Sequence, residues 1–219
     1  MEGRFRLRDD HTEKRFRLSR LPATVRTVSS IEPKPQRADA VRNRERIVEA
    51  ARELFAECGQ ATQMDDVARR AQVGVGTVYR HFPTKSALQG ELMAAKFRHH
   101  AEVARRWAAS EPDGWAAFEG FLRETFAAMA TDASLRQRVT WSEDAEALAL
   151  AEPERQALSV VVGEIIERAQ AQGGMTPGFT VADMPALMCS AGAVITAQQA
   201  SPVVLGDRFL DLLIDALRG

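Results

Sequence analysis

The chain has 219 residues, 45% hydrophobic and 27% charged, with a formal net charge of −1. This is ordinary globular material, enough for one long domain or for a small and a medium one, and no stretch approaches the roughly 20 apolar residues that span a bilayer. The near-neutral total hides a split: residues 1–100 carry 20 Lys and Arg against 13 Asp and Glu, and residues 101–219 carry 9 against 17, so a polyanion is attracted to the first half only.

Residues 1–37 hold ten Lys and Arg and five acids, repeat Arg4-Phe5-Arg6-Leu7 as Arg15-Phe16-Arg17-Leu18, and end in Pro33-Lys34-Pro35. Low apolar content and Pro-x-Pro predict a mostly disordered basic arm. Two readings stand: an arm that lies along nucleic acid, or a solvated tail without a role. The N-terminus carries charges where a signal peptide needs an apolar run, and Asp9, Asp10 and Glu13 do not suit a transit peptide, so a cytoplasmic location is expected. Arg37, Arg42 and Arg44, nearest the first helix, are phosphate-contact candidates.

From Arg44 to Cys58, Ile47, Ala50, Ala51, Leu54, Phe55 and Cys58 form one apolar stripe, which predicts an amphipathic helix ended by Gly59. Thr62 with Asp65 reads as a T-x-x-D capping box opening a second helix near residue 63, in which Val67, Ala68 and Ala71 share a face. Gln72-Val73-Gly74 supplies a turn, with a positive φ expected at Gly74. A third helix of about two turns starts at Val75, turns Val78 and Phe82 inward, and leaves Gly76, Thr77, Tyr79, Arg80 and His81 outside, groups suited to phosphates and base edges. Pro83 stops it, Thr84 caps the next helix, and Lys85 stands at that helix's start, where an ammonium and free backbone N–H groups share a phosphate. Three helices in this order form a minimal helix-turn-helix domain.

Residues about 42–88, and above all Gly74-Val75-Gly76-Thr77-Val78-Tyr79-Arg80-His81-Phe82-Pro83-Thr84-Lys85, resemble the N-terminal domain of the TetR family of bacterial transcriptional regulators. The resemblance implies an all-α homodimer that binds a palindromic double-stranded DNA operator as a repressor and is released by a small-molecule inducer in a variable C-terminal domain. It marks Thr62, Gln63, Val75, Gly76, Thr77, Tyr79, Arg80, His81 and Lys85 as DNA contacts. Gln72 departs from the Gly of many members, and Gln63 from the usual Thr or Val. The expected organisation is an arm over 1–37, a DNA-binding domain over 38–84 and a regulatory and dimerisation domain over 85–219, in a bacterial cytoplasm and at the nucleoid when bound to its operator.

Beyond Lys85 helical patterns follow one another. Leu88, Leu92 and Ala95 begin a long helix to about Trp107; Trp115, Phe118, Leu122, Phe126 and Met129 define the next, opened by Asp113 or Gly114. A shorter helix is read over Leu135–Leu150, ending before Pro153, and another over Glu154–Gln172, stopped by Gly173-Gly174. Thr180 and Asp183 suit the cap of a helix reaching Gln199, although Pro185 would cost a backbone bond in a helix begun that early and moves the expected start nearer Asp183; Phe209 to Leu217 form the last. The sum is an all-α fold of about nine helices without strands. The Asp113-Gly114-Trp115 context and the C-terminal run from Asp207 to Arg218 resemble the TetR subgroup with SbtR-like C-terminal domains. The last two helices are apolar and small on more than one face, which suits a homodimer interface built as a four-helix bundle.

Phe118, Phe121, Phe126, Met129, Trp141, Met184 and Met188 are candidates to line an inducer pocket between helices, though such stripes also read as plain core. Cys58 and Cys189 are expected to be buried reduced thiols. His99 and His100 are adjacent, point ~100° apart on a helix, and lack a second pair at ligand spacing, so no metal or cofactor is expected. No catalytic constellation stands out, and an enzyme is not expected. The alternative is a helical interaction protein of the same fold that has lost autonomous operator binding.

Overall fold

Helix α1 runs over Pro35–Cys58 in a computed structural model that describes residues 35–131, 144–199 and 206–219. It begins nine residues before Arg44, and within the segment expected to be an arm. Pro35 fits the first helical position, where a missing N–H costs nothing and φ is already helical, and Ala38 and Ala40 favour continuation. Gly59, at φ 57°, ends α1, and a 3-10 turn over Gly59–Ala61 leads to α2 (Met64–Arg70) and α3 (Val75–His81). Then come α4 (Lys85–Ser110), α5 (Gly114–Thr131), α6 (Ala145–Ala171), a 3-10 turn over Val181–Asp183, α7 (Met184–Gln199) and α8 (Gly206–Leu217). Among the described residues there are thus eight α-helices and no strand, with one isolated bridge between Met175 and Arg218.

The expected break before Pro153 is absent. Pro153 lies inside α6, with Ala149, whose carbonyl it leaves without an i+4 donor, also on the exposed side where water can serve that carbonyl. Packing on α4, the most extensive helix pairing among the described residues, offsets the lost bond. The arm over 1–34, the first part of the helix read over Leu135–Leu150, and Trp141 lie outside the described residues.

Two cores organise residues 35–219. The first joins Ile47, Leu54 and Phe55 of α1, Met64 and Val67 of α2, Val78 and Phe82, and Leu88 and Leu92 of α4; Ala147 and Ala151 of α6 complete it. The second joins Val103 and Ala104 of α4 to α5, the later turns of α6, α7 and α8. Helices α4 and α6 therefore run through both, and we call the two parts the head and the body. Gly90 lets α6 approach α4 closely: a Cβ there would stand 2.8 Å from Leu150 Cβ and 3.2 Å from the Ala147 carbonyl oxygen.

Ends are capped largely as the sequence suggests. Thr84 Oγ1 accepts from the Ala87 N–H at 2.9 Å, Asp113 Oδ1 from Ala116 at 2.8 Å, and Asp144 Oδ1 from Ala147 at 3.0 Å. The Thr180 N–H donates to Asp183 Oδ2 at 2.8 Å ahead of α7. The cysteines are a correction: Cys58 is exposed at the end of α1, where the helix unwinds away from the core, and Cys189 is half-buried. Among the described residues no helix is long and apolar enough to cross a membrane.

Candidate nucleic-acid interface

The turn between α2 and α3 is built by hydrogen bonds at the end of α2. The Val73 N–H reaches back to the Ala68 carbonyl at 3.0 Å and the Gln72 N–H to that of Arg69 at 3.2 Å, a Schellman pattern. Such a pattern needs one left-handed residue at the position that Gln72 holds, and Gln72 has φ 54°. The positive φ expected at Gly74 therefore falls two residues earlier: Gly74 is extended at φ −67° and serves as the N-cap of α3, its carbonyl accepting from Thr77 at 2.8 Å. Arg46 of α1 donates to the Gln72 carbonyl at 3.2 Å, tying this turn to the first helix.

Helix α3 divides largely as its sequence predicts, with Thr77 and His81 less open than expected. Val78 is fully buried and Phe82 4% exposed, whereas Val75 and Tyr79 are 41% and 46% exposed, large apolar surfaces left open on a seven-residue helix. Gly76 and Arg80 are exposed and Thr77 half-buried. A Cβ on Gly76 would meet nothing within 4 Å, so the head's own packing does not require glycine there. His81 is half-buried with Nε2 unpartnered; burial first, and the Arg80 and Arg44 charges after it, hold its pKa below the ordinary histidine value.

The flanking candidates separate. Lys85 stands at the first turn of α4 with Nζ 2.7 Å from the Gln60 carbonyl and 5.7 Å from the Phe55 ring centroid. Gln60 also accepts from the buried Gln89 through Oε1 at 3.1 Å, so this loop is pinned to α4. Arg42 is exposed and pairs with Asp39, and Arg37 lies in the first turn of α1. Arg44 is exposed and already paired: Nη2 lies 2.6 Å from Glu91 Oε2, and the guanidinium sits 5.2 Å from the Phe82 ring centroid.

Thr62 is corrected in two respects. It is 2% exposed and its hydroxyl donates to the Leu54 carbonyl at 3.0 Å, so it locks α1 to the loop and its side chain does not face solvent. The N-cap of α2 is Gln63, without a side-chain cap bond; its amide donates to the Ala61 carbonyl at 3.0 Å and the side chain is exposed. The helix starts one residue later than the capping box required, and Asp65 and Asp66 act through the dipole of its first turn.

In the body, Phe118, Phe121, Phe126, Met129 and Met184 are buried in one core with Met188 at its edge; Trp141 is not among the described residues. Phe118 packs edge-on against Phe179 with ring centroids 5.8 Å apart. Within this region the buried Trp115 Nε1 and Thr125 Oγ1 make no hydrogen bond among the described residues. His99 is exposed while His100 is 6% exposed with Nδ1 unpartnered, and burial, helped by Lys96 and His99, lowers its pKa to about 3. Sequence reading missed Arg46, Gln60, Gln89 and Glu91, which hold the head together; their partners lie 26 to 47 residues away, and no local pattern marks them.

A family model described as bacterial regulatory proteins, tetR family, matches residues 47–92, the span from mid-α1 into α4. An HTH-type transcriptional regulator of Staphylococcus aureus strain bovine RF122 / ET3-1 is 47% identical over 53 residues, 24% of this chain and 29% of that protein. The match to these curated relatives thus spans under a third of their length. Among solved structures, the TetR transcription regulatory protein from Mycobacterium vanbaalenii is 34% identical over 84% of this chain and 100% of its own, with a TM-score of 0.56. A TetR-family regulator from Agrobacterium tumefaciens, 14% identical, covers 82% of this chain and 100% of its own with a TM-score of 0.66, a likeness of fold.

Proposed function

From the premise that this chain belongs to the TetR family, we propose that it is a sequence-specific, DNA-binding transcriptional regulator. It acts as a repressor, binding a palindromic operator as a homodimer, and a small-molecule inducer releases it. The observation that carries this reading is α3: one side is anchored by Val78 and Phe82, and the other offers Val75, Gly76, Tyr79 and Arg80 to solvent beside Lys85. An isolated helix of seven residues is not stable in water, so its outer face is presented only because the head core holds the inner one. Thr77 and His81, at the edge of that face, adjust the contact, with burial and the Arg80 and Arg44 charges holding the His81 pKa below its ordinary value.

The homodimer forms through α7 and α8. Leu212 is 59% exposed on α8, and Leu187, Met188 and Val194 of α7 are half-buried in the single chain. A two-fold bundle of these helices covers them and sets two α3 helices about one DNA turn apart, ~34 Å, or a multiple of it. The inducer acts on the body, where Trp115 and Thr125 leave buried donors unpartnered amid the Phe118 cluster. It releases DNA only as far as it prefers the form whose heads are wrongly spaced. The chain works in the cytoplasm, and its basic arm adds sequence-independent attraction to DNA.

Selection of bound duplexes from a random pool by the purified protein, at about physiological salt to suppress nonspecific binding, tests the reading. Enrichment of an inverted repeat is expected. No enrichment from folded, dimeric protein overturns it.

A further inference from the structure

Helix α6 belongs to two cores, and a chain of charged side chains starts where it passes from one to the other. Ala147 and Ala151, both 0% exposed, are built into the head; Val162, Ile165 and Ile166 are built into the body. Just after Pro153, Glu154 Oε1 lies 3.0 Å from Arg98 Nη1. Arg98 Nη2 lies 2.9 Å from Glu91 Oε1, and the other oxygen of Glu91 takes Arg44 at 2.6 Å. Arg44 in turn covers the ring of Phe82, the residue that closes α3.

The middle of this chain is a competition. Glu91 is one carboxylate between two guanidinium groups, and each holds one oxygen. Its side chain is 21% exposed and that of Glu154 27%, so both are better shielded from water than the arginines, at 45–46%. Arg98 divides its donors between two acids. Without Glu154 it has Glu91 alone, and a guanidinium facing one carboxylate prefers the two-bond fork. That fork places Arg98 on the oxygen that Arg44 uses, and the two guanidinium charges then crowd one acceptor, which weakens the Arg44 bond. The anchor at the far end is firm, because the close approach at Gly90 and the buried alanines fix the first turns of α6 on the head.

We propose that Glu154 is a positioning residue for DNA reading: by occupying Arg98 it leaves one oxygen of Glu91 to Arg44, which holds Phe82 and with it the C-terminal end of α3. The assignment rests on α3 being the DNA-reading helix. It makes a body-helix residue, 72 positions from Phe82 in sequence, a determinant of affinity without any contact to DNA. It also gives the body a way to reach the head, since any shift of α6 at Pro153 alters the hold of Glu154 on Arg98.

The test uses the full chain, with two readouts: affinity for the duplex enriched by selection, and hydrogen exchange of residues 75–82 in the absence of DNA. Glu154→Gln should weaken binding by about threefold, the scale of a shared surface ion-pair network, and speed exchange in α3. Adding Arg98→Met removes the competitor and should restore both readouts, whereas merely structural losses would add. In an Arg44→Met background Glu154→Gln should do nothing further. Unchanged readouts in Glu154→Gln, or a double variant no better than the single one, overturns the proposal. If the unaltered chain enriches no duplex, the DNA reading falls, and the exchange pattern still decides whether Glu154 acts through Arg98.

Discussion

His100 should make the stability of this protein fall on mild acidification, well before the carboxylates protonate. The ring is 6% exposed on α4, Nδ1 has no partner, and burial with Lys96 and His99 nearby depresses its pKa to about 3. A folded-state pKa below the unfolded value means that the unfolded chain takes up the proton first. Stability is therefore lost as pH drops below the ordinary histidine value of about 6.5, and the loss ends only near 3. At pH 5 an unfolded-chain imidazole is almost wholly protonated and His100 is not, which amounts to about 2 kcal/mol. Urea unfolding at pH 7.5 and 5.0 measures this directly, and His100→Leu should remove most of the difference while keeping the site apolar. The depressed carboxylates, among them Glu124 beside Arg106 and Asp144 at the start of α6, have the opposite sign. Their share of stability is present above the ordinary carboxylate range and disappears below it, so the window from 6.5 to 5 belongs chiefly to histidine. His81 acts in the same direction and remains in both proteins, so the comparison isolates His100. Equal pH dependence in both proteins, or a His100 resonance titrating near 6.5, would refute the reasoning.

Three further outcomes concern the head. Gln72→Gly should stabilise the protein by about 1 kcal/mol in thermal or urea unfolding, because a left-handed φ of 54° is strained for glutamine and free for glycine; a loss of stability would mean that the glutamine side chain contributes more than its backbone costs. Gly76→Ala should raise stability by about 0.5–1 kcal/mol, as its Cβ meets nothing in the head, yet weaken operator binding in a mobility-shift titration, and unchanged affinity would place the DNA elsewhere. Lys85→Ala should lower affinity for all duplexes and reduce the salt slope by about one. An unchanged slope would leave Lys85 only its bond to Gln60.

The helix-turn-helix was legible because its signals are local: the spacing of Val78 and Phe82, the stop at Pro83 and the cap at Thr84 each act within a turn or two. Where local chemistry admits two solutions the sequence misled. Thr62 has the right offset from Asp65 for a capping box, but the Leu54 carbonyl, at the end of α1, is a partner that only the folded head supplies. Gly74 has the freedom for a positive φ, yet the hydrogen bonds at the end of α2 place the left-handed residue at Gln72, whatever its type. Pro153 is a helix breaker by its own chemistry, and only the approach of α4 at Gly90 shows why the helix continues. Arg44 reads as a free basic residue beside a DNA motif; its acid, Glu91, is 47 residues away. The apolar stripe predicted that Phe118, Phe126 and Met129 are buried, but not what they enclose.

Completion of the head core by Ala147 and Ala151 also bears on the order of events during synthesis. Helices α1 to α3 and the first turns of α4 leave the ribosome with the flank at Gly90 uncovered, and Ala147 and Leu150, which cover it, are translated roughly 60 positions later. At about 5–20 residues per second that is an interval of several seconds. During it the nascent chain displays an apolar flank beside a basic segment, a natural place for a chaperone or for premature contact with nucleic acid. The reading end of this protein is made well before the residues that finish its core.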